Sequence, residues 1–348
     1  MGPELEMIPA NLRDEAKLEA QLRDTTVNAS GTRKAKARIV IIGFEHPDLG
    51  DPEYKTAAPV MSALGRNMCL QTSVQEEWDV EGLDMTTAFL QVVGDAAAGS
   101  GPVEKERLWT SGVPELVTAL GGTHGDLLRI LRNVYGLTTA PRALWKDVTD
   151  TCMKLGAHRV LGDRCIFAWF QPNPRPRNDA DRFTLIGYVG ANVDDFERSG
   201  DRSNPEWSKI RGQLDEAYKW GAQRTGNFRF TGLDVTQYEN KEIELDQDFY
   251  IRDLEEPDYD KARLAMPKLE LTTGEKTMTR GLLGALLWPA VQSQPLISAR
   301  VGLLLSQLGG EGETAPTMRV AVDAIAVLRD LRKHPTKLRF HKFASARH

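Results

Sequence analysis

The sequence predicts an α+β fold, and three observations predict it. Short β-branched or apolar runs recur through the first two thirds of the chain, among them Arg38 to Phe44, Trp78 to Asp84, Cys165 to Phe170 and Phe183 to Val193. The run ending at Val193 and the segment Phe196 to Ser199 are separated by Asp194 and Asp195 alone, which is hairpin spacing. The closing stretch instead carries helical periodicity, so strands come first and helices last.

Taken in order, residues 1–30 are polar and weakly patterned and read as a leader. Arg38 to Phe44 reads as a strand, and His46 to Tyr54, with its Pro and Gly50, as a loop. Met61 to Val74 is compatible with a helix, and Trp78 to Asp84 is a strand that delivers Asp84 to its C-terminal end. A Gly/Ala/Ser-rich loop follows from Gly94 to Pro102. Pro141 to Leu155 is the clearest helix: Thr138 or Thr139 can cap it and Pro141 suits its first turn. Leu144, Trp145, Val148, Cys152 and Leu155 share one face before Gly156. Gln171 to Arg182 is a polar loop, and Phe228 to Val235 and Ile243 to Ile251 alternate as strands do. Near the end, Pro289 reads as a helix break. Pro316 opens an amphipathic helix through Met318, Ala321, Val322, Ile325, Leu328 and Leu331. There is no internal repeat.

A chain of 348 residues with 41% hydrophobic and 27% charged residues has room for two or three packed subdomains. The three cysteines, Cys69, Cys152 and Cys165, have neither metal-site nor disulfide-framework spacing, as expected of a reducing compartment. No apolar run reaches membrane-span length and the N-terminal stretch lacks a signal pattern, so a soluble intracellular protein with no membrane partner is expected. The net charge of -5 argues mildly against nucleic acid. Its distribution argues less so. Arg33, Lys34, Lys36 and Arg38 form one basic cluster, and Arg329, Arg332, Lys333, Lys337, Arg339 and Lys342 another, while acid concentrates between Glu239 and Asp260. Each cluster reads as a solvated face or as a phosphate footprint.

The chemistry-bearing residues each carry two readings. Asp194 and Asp195 are a solvated hairpin tip or, with Asp84, oxygen ligands for a hard divalent cation such as Mg²⁺. Asp84 is a helix N-cap or a metal ligand, and Phe89 is a core residue or a ring under the sugar of an incoming nucleotide, where bulk would exclude a 2′-hydroxyl. Lys36 and Arg38 lie two apart on a strand, solvated or holding the β- and γ-phosphates of a triphosphate. Val134 to Trp145 is a loop-to-helix entry whose Gly136 allows close backbone approach to a ligand.

Seven ordered segments make a resemblance. They are Lys36 to Phe44, Thr56 to Val60, Leu83 to Leu90, Val134 to Trp145, Val193 to Asp195, Phe230 to Val235 and Leu282 to Trp288. Together they resemble the reverse transcriptase of copia-type LTR retrotransposons, an RNA-directed DNA polymerase. The resemblance implies a right-hand polymerase fold, with an antiparallel palm sheet backed by helices, plus fingers and a mostly helical thumb or connection region. It places fingers and palm in residues 31–255 and the thumb-like region in 256–348, with the chain ending where RNase H would begin. It implies Asp84, Asp194 and Asp195 as catalytic, metal-holding carboxylates for two Mg²⁺ ions, with Mn²⁺ able to substitute. It further implies Lys36, Arg38, Phe89, Tyr135 and Gly136 around the dNTP, and Phe230, Gly232 and Leu233 in a primer-holding hairpin. The implied partners are an RNA or DNA template with its primer and dNTP. The implied location is the cytoplasm, including virus-like particles, with the nucleus left open.

The chain departs from the family pattern at Asn192, at Thr138 and Thr139, and at Glu197 and Arg198. An unpaired charge buried in the returning hairpin strand would cost several kcal/mol. Arg198 must therefore pair with Glu197 or a neighbouring acid, or reach solvent, or the copy is a decayed element that at most binds template and primer.

Overall fold

The strand-rich part of the chain begins earlier than its hydrophobic pattern suggests. The computed structural model describes residues 5–8, 17–18, 20–26, 35–46, 49–52, 54–92, 109–111, 113–123, 125–130, 132–179, 182–310 and 312–344. The Gly94 to Pro102 loop lies outside them. Within the first thirty residues, read from sequence as a leader, lie strands β1 (Leu5–Ile8), β2 (Lys17–Leu18) and β3 (Ala20–Thr26). Strand β4 (Ala35–Ile41) pairs antiparallel with β3, setting Lys36 opposite Thr25 and Arg38 opposite Arg23. It ends at Ile41 rather than Phe44, because Gly43–Glu45 turns as a 3-10 helix.

Helix α1 (Ala63–Gln75) starts where the Ser62 hydroxyl accepts the Gly65 N–H at 2.9 Å, an N-cap bond. The Ser62 N–H and hydroxyl both donate to Asp163 at 2.8 and 2.7 Å. Strand β5 (Val80–Met85) and helix α2 (Ala88–Gln91) follow, then β6 (Trp109–Thr110), α3 (Pro114–Ala119) and β7 (Leu127–Ile130). The predicted long helix is α4 (Ala140–Lys154), with Leu144, Val148 and Cys152 buried as expected. Thr139 occupies its N-cap position but makes no capping bond, and the Thr138 hydroxyl lies 3.1 Å from that of Tyr54 instead.

Next come β8 (His158–Val160), β9 (Asp163–Pro172), β10 (Phe183–Asn192), β11 (Asp195–Gly200), α5 (Pro205–Ala217) and β12 (Trp220–Thr225). Six strands form one sheet in the order β12-β5-β11-β10-β9-β8, and β8 through β11 pair antiparallel. Gly187 and Gly200 face each other across β10 and β11, and a Cβ on either would lie within 2.5 Å of the Trp207 ring. Both positions are therefore glycine so that α5 can press its fully buried indole onto the sheet.

The remaining elements are β13 (Asn227–Phe230), β14 (Leu233–Gln237), β15 (Ile243–Asp246), α6 (Asp248–Asp253), α7 (Lys261–Leu264), α8 (Thr273–Gln292), α9 (Pro295–Gln307), α10 (Met318–Lys333) and β16 (Leu338–Phe340). Strands β13 to β16 form an antiparallel sheet in sequence order. Phe228 to Val235 forms two strands joined by a tight hairpin at Thr231 and Gly232, whose φ are 51° and 78°, where the resemblance implied a hairpin. One sequence expectation changes: Ile243 to Ile251 is a strand only as far as Asp246 and then turns into α6.

Pro289 does not break α8, which continues to Gln292. A proline inside a helix leaves the carbonyl four residues earlier without its backbone donor. That carbonyl belongs to Ala285, and the Tyr250 hydroxyl donates to it at 3.0 Å. The amphipathic helix predicted after Pro316 is α10, with Met318, Ala321, Ile325, Leu328 and Leu331 buried, though Val322 is only half-buried.

The architecture is thus mixed helix and antiparallel sheet, the α+β class expected. The chain divides into two units, residues 1–66 with 83–223 and residues 67–82 with 224–348, each with its own apolar cluster. Among the described residues no helix is long and apolar enough to cross a membrane.

Candidate active site

Alternation along β5 buries Leu83 and Met85 and turns Asp84 outward, where it is exposed. The Met85 N–H donates to the Asp194 carbonyl at 2.9 Å, which sets the end of β5 beside the β10–β11 tip. Asn192 pairs with Asp195, leaving Val193 and Asp194 as a two-residue turn. Val193 takes φ 59°, a left-handed conformation that β-branched residues rarely adopt and that stores about 1–3 kcal/mol of strain. The sheet thus presents Asp84, Asp194 and Asp195 from two neighbouring strands. Among the described residues no three His, Cys, Asp or Glu side chains converge as an ion site, so the expected gathering of all three carboxylates on one ion is not preformed. Mg²⁺ usually takes one or two carboxylates and completes its octahedron with water and phosphate oxygens, a donor set that Asp84 and the hairpin tip fit.

Phe89 and Tyr135, drawn from separate segments, meet edge to face with ring centroids 5.0 Å apart. Phe89 is buried in the core beneath, so the core reading holds for its ring. The φ of Gly136 is 93°, and a Cβ there would lie 1.9 Å from the Ile41 carbonyl oxygen, so a close approach to the last residue of β4 is already enough to require glycine. The Ile41 N–H donates to the Tyr135 carbonyl at 2.8 Å and fixes that contact. Lys36 and Arg38 stand on β4, but their side chains lie outside what the structure describes.

The charged hairpin strand resolves into two different situations. Successive residues of β11 point to opposite faces. Arg198, 2% exposed, donates to Asp215 on α5 at 2.6 Å, so it finds a neighbouring acid and not Glu197. Glu197, 0% exposed, has neither carboxylate oxygen hydrogen-bonded. Burial pushes its carboxyl up to about 8, with the charge of buried Arg66 pulling the other way. With that value the acid is neutral at pH 7, which spares the chain a buried ion but still costs stability, because the unfolded chain would release the proton.

Sequence reasoning missed Gly221. A Cβ built there would lie 3.0 Å from both Asp84 Oδ2 and Thr86 Oγ1, so the missing side chain at residue 221 leaves extra room beside the Asp84 carboxylate. A glycine inside a strand run, between Trp220 and Ala222, was the available signal.

In the second unit, Phe230 and Leu233 are fully buried, and Gly232 sits at the hairpin tip with Trp288 where its Cβ would be, at 2.6 Å. The C-terminal basic cluster is largely paired with the acidic stretch. Arg329 bonds Glu256 at 2.7 Å, Lys337 and Arg339 bond Glu244 at 2.6 and 3.0 Å, and Lys342 bonds Glu77 at 2.8 Å. Its solvated-face reading is the better one.

No protein-family model matches the chain. Over 146 residues, 40% of its length, it is 28% identical to the retrovirus-related Pol polyprotein from transposon RE2 of Arabidopsis thaliana. The chain is similar to a retrotransposon Pol polyprotein. That match spans 9% of the polyprotein, so the chain corresponds to a small part of it. Among solved structures, a foamy viral protease-reverse transcriptase in complex with double-stranded DNA aligns with TM-score 0.45 and 13% identity, covering 90% of this chain and 44% of that one. Telomerase from Candida albicans, in complex with a fragment of telomeric RNA, aligns with TM-score 0.42 and 9% identity, covering 94% and 63%. Both likenesses are distant.

Proposed function

We propose that the chain is the polymerase portion of a copia-type retroelement and extends a primer 3′-end from dNTP on an RNA or DNA template. The observation that carries this reading is the Met85 N–H to Asp194 carbonyl bond, which sets Asp84 beside the β10–β11 tip that carries Asp194 and Asp195. Asp84 and the hairpin carboxylates would hold Mg²⁺ or Mn²⁺. Divalent ions, when bound, supply Lewis-acid activation of the primer hydroxyl and charge compensation for the leaving pyrophosphate. The chain contributes position: the paired strands fix the carboxylates, and the Phe89–Tyr135 ring pair forms a rigid floor for the sugar. Little other covalent chemistry is asked of the protein. A right-hand arrangement and a cytoplasmic location belong to the same reading.

The unpartnered, buried Glu197 carboxyl favours a second reading, a decayed copy that binds template and primer without catalysis. Primer extension separates the two. With Mg²⁺ or Mn²⁺, the unsubstituted protein extends a DNA primer on RNA and Asp194→Asn does not; a folded protein that binds template and primer but never extends is the decayed copy.

A further inference from the structure

Strand β5 ends one residue after Asp84, and the chain then turns sharply through Thr86 and Thr87 into α2. Thr87 adopts φ 49°, which a β-branched residue holds only when its surroundings enforce it. Beside it stands Gln91, the last residue of α2. Its Nε2 donates to the Thr86 carbonyl at 2.5 Å and to the Lys219 carbonyl at 2.9 Å, while its Oε1 accepts the Lys219 N–H at 2.6 Å. The Thr86 N–H also donates to the Lys219 carbonyl, at 3.0 Å. One carboxamide thus uses both its N–H bonds and its oxygen to close the open end between the Asp84 strand and the residue that leads into β12.

Two of these contacts fall on Thr86 and the other two tie Gln91 to Lys219, while the N–H of the preceding Met85 is held by Asp194 on the other side. Two residues past Lys219, Gly221 leaves the gap in which Asp84 Oδ2 lies. The backbone bearing Asp84 is therefore clamped from both flanks, and Gln91 supplies the clamp on the β12 side. Gln91 is only half-buried and is not among the residues of the apolar core, so packing does not account for this arrangement.

We propose that Gln91 is a positioning residue that fixes the Asp84 carboxylate for a divalent cation; this rests on Asp84 being an ion ligand. Partners that orient a metal ligand without touching the metal are worth about 10–100-fold in affinity. The test is Mn²⁺ binding to the full chain, followed by electron paramagnetic resonance, alongside thermal unfolding. Gln91→Met, similar in length but without hydrogen bonds, is expected to weaken Mn²⁺ binding by about 10-fold or more. Gln91→Glu, which keeps the acceptor for Lys219 and loses both donors, is expected to weaken it too. Gln71→Met, removing a carboxamide that donates to the His341 carbonyl, serves as a control for lost hydrogen bonding and leaves Mn²⁺ affinity unchanged. Unchanged affinity in Gln91→Met, or equal loss in Gln71→Met, overturns the proposal. Loss of the folded state in both Gln91 variants assigns the residue to stability alone and overturns it as well. Mn²⁺ binding indifferent to Asp84→Asn removes Asp84 as an ion ligand, and both readings then fall, distinguishable from a failure of Gln91 alone.

Discussion

Replacing Glu197 by Gln should make the protein more stable at neutral pH and should do so in a pH-dependent way. The carboxyl is raised from 4.5 to about 8 by burial in the folded state. Below pH 4.5 it is protonated in both folded and unfolded chains and makes no difference. Between pH 4.5 and 8 the unfolded chain releases the proton while the folded chain retains it, so stability falls as pH rises. At about 1.4 kcal/mol per unit, the loss reaches roughly 3 kcal/mol at pH 7 and levels off near 5 kcal/mol above pH 8. Glutamine is neutral throughout, with nearly the same shape. Urea unfolding of both proteins from pH 4 to pH 9 measures the gap, which should open across this window. Parallel stability curves would refute the reasoning and show that Glu197 is charged and paired when folded.

Three further outcomes follow from particular contacts. Asp215→Ala removes the carboxylate that Arg198 donates to and should cost about 2 kcal/mol by denaturant unfolding, less than the 3–5 of a wholly buried pair because Asp215 is 35% exposed. Tyr250→Phe orphans the Ala285 carbonyl that Pro289 cannot serve, and should destabilise the chain by about 1–2 kcal/mol; an unchanged unfolding midpoint would mean water serves that carbonyl equally well. Phe89→Leu trims the ring packed on Tyr135 and should narrow the preference for dNTP over rNTP, measured as a ratio of kcat/KM, by about tenfold. An unaltered ratio would leave Phe89 as core only.

What the sequence revealed depended on how local its physics was. The β10–β11 hairpin and α4 were legible because short spacing and an apolar face are properties of adjacent residues, though the hairpin tip is Val193–Asp194, one residue before the expected Asp194–Asp195. Pro289 misled because the donor that replaces its missing N–H, Tyr250, lies thirty-nine positions upstream. In Phe228 to Val235 the alternation alone does not separate one strand from a tight hairpin; the resemblance marked the hairpin, which turns at Thr231 and Gly232. Asp84 and Asp194 were nameable from motif order, yet the bond that joins their strands is nonlocal. Gln91 was invisible for the same reason, and Gly221 showed only as a glycine inside a strand run: their roles arise when β5, α2 and β12 come together.

The proposed function stands on Asp84, Asp194 and Asp195 holding the catalytic ion. Anomalous diffraction from crystals grown with Mn²⁺, template, primer and a non-hydrolysable dNTP analogue tests it most directly. The account predicts an anomalous peak bonded to Asp84 and to at least one of the two hairpin aspartates, beside the triphosphate. A triphosphate bound with its ion elsewhere, or none at these carboxylates, would contradict it.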